Sequence, residues 1–425
     1  MNWNRREFLS GAVAAAAAQS LQPRSAEAAT GVPDFSALRA DFPRALNETY
    51  FNSAAQHPLG VHSVRGMQRY IDFMFRGPGE GRSDFWEEGL NEVKPMFARL
   101  INAKPSEIAL CPSTTVGENM IVGGMDLRSG NVVTNDLHYT SSISNYKTRE
   151  KNGLEVRIVK HRDWQIDLAD MERAVNSKTK LISISVVSSV NGHFENVKAL
   201  SDLAHAHGGY LFADIIQGAG AVPIDVKAMG IDFASCAMYK WLQGEHGFGF
   251  LYIREGLADR VVKTLQFTGH PDFNYLPWVK AAKPGAPEII NHAPAGTASF
   301  ECGTPSVITY AAQYESFKYM EKLGIDRIRA HAQSITSRLQ KELPALGYTP
   351  ITPKDAGTPI VTFLCKDTEA VKAKIREAGR TGRAKISITG PNSALTVGRF
   401  GNHMRFSVSV FNNQEDVDRV LEVLA

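Results

Sequence analysis

The sequence predicts an α/β protein, with a large unit on a mostly parallel sheet covered on both faces, then a smaller C-terminal α+β unit. Two observations carry this. From about residue 84 to residue 265, short β-branched runs alternate with amphipathic helical stretches, and continuous apolar strands separated by helices belong to a doubly covered sheet. After about residue 300 the order changes to a helical pair, a strand, a helix, a strand and a closing helix.

The strand runs of the large unit are Glu107–Cys111, Asn131–Thr134, Glu155–Val159, Lys180–Val187, Tyr210–Ala213, Phe233–Ala237 and Gly247–Ile253. Between several of them, Leu168–Val175 and Val197–His207 repeat apolar residues three and four apart, the spacing of a helix face. Phe267–Ser299 is rich in Pro, Gly, His and aromatics without a period, and reads as a long excursion from the scaffold. Helices over Ser306–Lys322 and Ile325–Leu343 follow, then strands over Pro359–Leu364 and Met404–Val410 and a last helix over Gln414–Leu424.

Composition narrows the function classes. The 425 residues are 43% hydrophobic and 21% charged, as in a soluble globular protein with a sizeable core. Lys+Arg 47 against Asp+Glu 44 leaves a net charge of +3, too even for a nucleic-acid groove or a polybasic membrane face. The four cysteines, Cys111, Cys236, Cys302 and Cys365, are too few for a disulfide scaffold, are not spaced as a zinc site, and are expected to be free thiols. No metal is expected.

The first residues read as an address. Arg5-Arg6 precede a short apolar run, Gly11 to Ala18, and Ala26-Glu27-Ala28 is a small-x-small cleavage pattern. The run is too short to span a bilayer, so residues 1–28 are expected to be a removable export signal and the mature chain to keep no membrane span. With Phe8-Leu9 behind them, the arginines resemble the twin-arginine class, which implies passage through that export machinery after folding, and a periplasmic or otherwise exported protein. An Ala-rich helix with a chance Arg-Arg is the plainer alternative. Residues 29–302 are then the large unit with its N-terminal segment, and residues 303–425 the small one.

Ligands of open α/β sheets gather at the carboxyl ends of the strands. After Ile108–Cys111 comes Pro112-Ser113-Thr114-Thr115, where three hydroxyls and free N–H groups opening a helix make a phosphate cradle, although helix capping alone also explains them. After Tyr210–Ala213 stands Asp214, a carboxylate that needs a partner or is a helix cap. After Phe233–Ala237 stands Lys240, in Met238-Tyr239-Lys240-Trp241, before the turn glycines Gly244 to Gly249. A desolvated amine there suits Schiff-base chemistry, whereas most single lysines are simply solvated. Phosphate cradle, strand-end Asp and strand-end Lys in that order are the parts needed to hold pyridoxal 5'-phosphate.

From about Tyr50 onward the chain resembles the class V aminotransferase family of fold-type-I pyridoxal-phosphate enzymes. The likeness rests on Lys180–Gly192, Val197–Asp225, Ile231–Arg254, Phe300–Pro305 and His403–Asn413 leading into Glu415–Asp418. The resemblance implies that Asp214 pairs with the ring nitrogen, Gln217 meets the ring hydroxyl, and Lys240 forms the Schiff base. It implies that Tyr139 stacks on the ring, that Thr114 and Thr115 hold the phosphate, and that Thr304 reaches it from the other subunit of a homodimer. Arg405 matches the arginine that grips the substrate α-carboxylate in a bidentate pair. His57 lies on a loop that approaches the substrate, and Asn191, with Ser188 and Ser189, follows a strand; simple turns are the alternative for all four.

Three departures qualify the likeness. Tyr239 stands where many cysteine desulfurases have His and is closer to kynureninases. Ala237 replaces a usual phosphate-binding Ser, a contact that Tyr239 is then placed to supply. No cysteine follows Cys365, so the stretch Glu377–Asn402 offers no persulfide nucleophile of the usual desulfurase kind. The expectation is an enzyme acting at Cα of an amino acid or amino-acid-bearing metabolite, by transamination or epimerisation. Isopenicillin N epimerase-like members are the general resemblance, and export favours periplasmic tailoring of a peptide metabolite or siderophore. A carbon–sulfur or kynureninase-like lyase is the alternative, and a non-catalytic binding protein on the same fold a third.

Overall fold

The computed structural model describes residues 33–77, 85–263, 272–273, 289–290, 296–301, 305–390 and 402–425. The expected signal, Cys302, Thr304 and most of Phe267–Ser299 lie outside the described residues. The first part of the described chain holds helices α1 (Val61–Arg76) and α2 (Phe85–Leu100), neither foreseen in these bounds. Then come β1 (Ile108–Cys111), α3 (Thr114–Gly124), β2 (Asn131–Asn135), α4 (Thr140–Arg149), β3 (Glu155–Val159) and α5 (Leu168–Ala174). They lead into β4 (Thr179–Ser185), α6 (Val197–Ala206), β5 (Tyr210–Asp214), β6 (Phe233–Ala237) and β7 (Gly249–Ile253).

These seven strands form one sheet in the order β1-β7-β6-β5-β4-β2-β3. The pairs among β2 to β6 are parallel, and only β7 runs against its neighbours β1 and β6. The mostly parallel α/β sheet expected from the sequence is therefore present. Every residue of β6 and β7 is buried, as a sheet covered on both faces requires. Strand ends differ from the sequence expectation by one or two residues. The run into Val187 stops at Ser185, because Val187 bridges to Phe194 in a turn.

The chain then continues through α7 (Val307–Leu323), α8 (Ile325–Glu342), β8 (Thr349–Pro350), β9 (Ile360–Leu364), α9 (Thr368–Arg380), β10 (His403–Ser407) and α10 (Gln414–Leu424). Strands β8, β9 and β10 make a three-stranded antiparallel sheet over its own apolar cluster, which includes Leu339, Val361, Phe363, Ile375, Phe406 and Val420. Asn413 caps α10 through a capping box with Asp416, and Asp367 caps α9.

The segment Ser188–His193 ties the two sheets together. Thr362 donates to the Val190 carbonyl at 2.9 Å and Thr358 to the Gly192 carbonyl at 2.8 Å. Gly192 holds φ +77, and a Cβ there would stand 2.3 Å from the Ile360 carbonyl oxygen, so only glycine fits. Cys236 and Cys365 are buried free thiols, and Cys111 is buried as well. Among the described residues no helix is long and apolar enough to cross a membrane.

Candidate active site

The carboxyl ends of β1, β5 and β6 meet around a pocket of about 480 Å³. At the end of β1, Ser113 caps α3, its hydroxyl accepting from the Val116 N–H at 3.2 Å and its carbonyl from the Gly117 N–H at 3.0 Å. The N–H groups of Thr114 and Thr115, in the first turn, have no intrahelical acceptor and border the pocket. Thr114 accepts the Ala237 N–H on its own hydroxyl at 2.9 Å, which locks the helix start against the end of β6. That geometry is an anion cradle of backbone donors at a helix dipole.

Asp214 closes β5 and is 3% exposed. Its Oδ1 accepts from the Ile216 N–H at 3.0 Å, and its Oδ2 has no hydrogen-bond partner among the described residues. Burial raises the Asp214 carboxyl, while His138, the Ile216 N–H and Lys240 pull it back down. An open carboxylate oxygen on the wall of a pocket fits a pyridinium N–H, the one donor of pyridoxal phosphate that must be matched deep in the site.

Lys240 follows β6 in a tight turn, held by the Gln243 N–H to the Lys240 carbonyl at 2.9 Å and the Gly244 N–H to the Met238 carbonyl at 3.0 Å. Burial lowers its amine to about 8, against the pull of Asp214 upward and with Arg405 pushing further down. Its Nζ makes no hydrogen bond among the described residues and borders the pocket, as an amine that bonds a cofactor aldehyde requires. Gln217 donates to the Ala54 carbonyl at 3.0 Å and accepts from the Trp241 indole at 2.8 Å, which leaves one amide hydrogen for a ligand. Tyr139 sits at the start of α4, 37% exposed, on the rim. Burial raises the Tyr239 phenol to about 12, and its ring stacks on His246 with centroids 4.0 Å apart.

Arg405 lies in the middle of β10, 5% exposed. Its Nη1 donates to the Ser189 carbonyl at 2.5 Å and its Nη2 to the Thr389 hydroxyl at 2.8 Å, while its Nε has no partner among the described residues. Burial lowers it to about 10. Among the described residues no carboxylate pairs with it, so a deeply buried guanidinium is left one charge short, a strong attraction for an anionic ligand. Ser189 itself borders the pocket.

The structure thus brings Thr114, Thr115, Tyr139, Asp214, Gln217, Tyr239 and Lys240 to one pocket, with Arg405 behind Ser189. Asn191 and His57 are not among the residues that border the pocket. Both amide hydrogens of Asn191 are committed, to the Trp164 carbonyl at 2.7 Å and the Ile351 carbonyl at 3.0 Å, so Asn191 braces a turn. His57 is 2% exposed among Phe42 and Phe411, with its nitrogens 2.7 Å from the Pro58 carbonyl and 2.7 Å from the Ser409 hydroxyl, so it too is spent inside the protein. Thr304 lies outside the described residues. Sequence reasoning missed Ser142 and Ser185, which border the pocket, and Glu118 and His138 beneath them; the one signal was a histidine directly before Tyr139.

A phosphate cradle, an open carboxylate oxygen and a desolvated amine facing one pocket define a pyridoxal-phosphate site on an α/β sheet. The family model described as aminotransferase class-V matches residues 82–420, and the chain belongs to that family. It is therefore a pyridoxal-phosphate-dependent enzyme. A probable cysteine desulfurase of Methanothermobacter thermautotrophicus is 27% identical over 73% of this chain and 76% of its own. The apo structure of the cysteine desulfurase of Thermococcus onnurineus NA1 superposes with a TM-score of 0.76 at 24% identity, covering 91% of this chain and 96% of that one. The cystine C–S lyase C-DES, in complex with its product cysteine persulfide, superposes with a TM-score of 0.74 at 18% identity, covering 90% and 98%. These two likenesses show the fold.

Proposed function

We propose that this enzyme acts at Cα of an amino acid, or a metabolite bearing one, with a free α-carboxylate. The observation that carries the reading is the buried Arg405 guanidinium without a carboxylate partner, close enough to Lys240 to depress its amine. Arg405 holds the carboxylate, Nε supplying the donor it has free. Asp214 and Gln217 hold the cofactor ring and the first turn of α3 its phosphate. When bound, the cofactor supplies an aldehyde for the substrate amine and an electron sink for the Cα electron pair. Lys240 accepts the Cα proton, and its lowered affinity for protons keeps part of it unprotonated near neutral pH. Returning that proton to the same or the opposite face of Cα, or to the cofactor, separates recovery, epimerisation and transamination.

A carbon–sulfur lyase is the second reading, favoured by the likeness to C-DES and to desulfurases. All three described thiols are buried, and burial raises Cys365 to about 11 and Cys236 well above the ordinary range, so none suits persulfide capture. Elimination from a cysteine or cystine substrate needs no protein thiol. The experiment is to load the protein with cofactor, compare its visible band with that of Lys240→Ala, and screen amino acids. Pyruvate and ammonia without a keto acid indicate the lyase, inversion at Cα the epimerase, and a strict need for a keto-acid acceptor the transaminase. No reaction with any α-amino acid sinks the proposal.

We also propose that residues 1–28 are a twin-arginine signal and that the enzyme works exported as a homodimer. Loss of export on replacing Arg5 and Arg6 together by Lys, and the mass in solution by light scattering, are the tests.

A further inference from the structure

Beneath the pocket lies a polar cluster that the reaction above does not use. Glu118 of α3 is 1% exposed, and His138, between β2 and α4, is wholly buried. Glu118 accepts from the Ser142 hydroxyl at 2.6 Å and the Tyr146 hydroxyl at 2.7 Å, and its Oε1 stands 3.7 Å from Nε2 of His138. The Ser183 hydroxyl of β4 donates to the Tyr146 oxygen at 2.8 Å and lies 3.2 Å from the same imidazole nitrogen. The other nitrogen, Nδ1, is 2.8 Å from the hydroxyl of Ser185. Ser185 pairs with Asp214 across the β4–β5 ladder and borders the pocket. A continuous run of polar contacts therefore leads from a core carboxylate to the pocket wall beside Asp214.

Folding alone does not account for this arrangement. A buried carboxylate and its partners are commonly replaced by well-packed apolar residues at no loss of stability. Burial pushes Glu118 up, yet the nearby His138 and hydrogen bonds from Ser142 and Tyr146 prevail and hold its carboxyl below the usual range. Tyr146 is pushed well above its ordinary range by burial and by Glu118, so it stays a donor. The groups that face Asp214 are His138, Glu118, Lys240, Cys236 and Tyr239. His138 pulls Asp214 toward its ionised form and Glu118 pushes it the other way.

We propose that Glu118 and His138 form a positioning pair beneath the cofactor pocket, braced to the wall through Ser185, whose balanced influence on Asp214 sets the protonation of the ring nitrogen that Asp214 meets. It rests on the pocket holding pyridoxal phosphate.

The test is the pH titration of the visible band of the cofactor-loaded protein, in the parent, Glu118→Gln, His138→Gln and the double variant, with melting temperatures alongside. Removing the carboxylate should move the midpoint down by about half a pH unit or more, and removing the imidazole should move it up. The double variant should return most of the way to the parent. Ser185→Ala, which breaks the brace to His138 while leaving both buried groups in place, should shift the midpoint in the direction of His138→Gln and by less. Midpoints equal to the parent's, or single variants shifting the same way, overturn the proposal whatever the melting temperatures do. A parent without a visible band overturns the cofactor site itself, and is seen before any substitution is made.

Discussion

Arg405 of the small antiparallel sheet donates to the carbonyl of Ser189, 216 residues earlier, in the turn that follows β4 of the large sheet. The guanidinium is thereby aimed by backbone and by the Thr389 hydroxyl, with Nε left over. Its orientation is set before a substrate arrives, so little ordering remains to oppose binding.

Arg405→Ala should raise KM roughly 30-fold or more, since it removes one side of a buried charge pair. Cofactor content, measured by the visible band per protomer, should stay that of the parent. Arg405→Lys keeps the charge and loses the planar fork, so its KM should fall between the two. Equal loss of cofactor and of substrate binding would refute the assignment.

Lys240 gives the apoprotein a defined pH dependence. Its amine has an ordinary value of 10.5 and is lowered to about 8 by burial. Between these values the unfolded chain binds a proton that the folded chain has released, so stability rises with pH across that window. Below about 8 both states are protonated and the full cost of burying the charge is paid. Lys240→Met should remove this rise, seen as a stability difference from the parent that shrinks between pH 8 and pH 10. Cofactor uptake by the apoprotein, followed by stopped-flow absorbance, should quicken with pH up to about 8 and then level.

The positions of Asp214 and Lys240 were legible because β5 and β6 are unbroken apolar runs whose ends are marked by a sudden change of residue type. Arg405 was legible only through resemblance, for nothing in Met404-Arg405-Phe406 tells a paired arginine from an open one. Glu118 was illegible because its partners lie 24, 28 and 65 residues away on two other elements. The bracing contacts of Asn191 were illegible for the same reason, as one of its carbonyl partners is 160 residues on.

Gly192→Ala should destabilise the protein by about 2 kcal/mol or more, through the left-handed backbone and the overlap with the Ile360 carbonyl. Urea unfolding reads the loss. The same change displaces the turn that carries Ser189, so KM should rise while the absorbance of the bound cofactor is kept. A variant as stable as the parent would mean that the turn moves freely against β9.

Asp214→Asn is the sharpest test of the cofactor's electronics. The amide keeps the shape and can still accept the Ile216 N–H, so the fold should hold and the melting temperature of the apoprotein should change little. What disappears is the negative charge facing the ring nitrogen. Without it the ring is not held protonated and is a poorer sink for the Cα electron pair, so kcat should fall roughly a hundredfold or more, as when a preorganised electrostatic partner is removed. Lys240 should still bond the cofactor, because that bond needs only the amine. Burial and the neighbouring Asp214 act on that amine in opposite directions, and with the carboxylate gone the upward pull is lost. The rise of cofactor uptake with pH should therefore move to lower pH in Asp214→Asn. A variant that turns over at the parent's rate, or whose uptake profile does not move, would place the ring nitrogen's partner elsewhere.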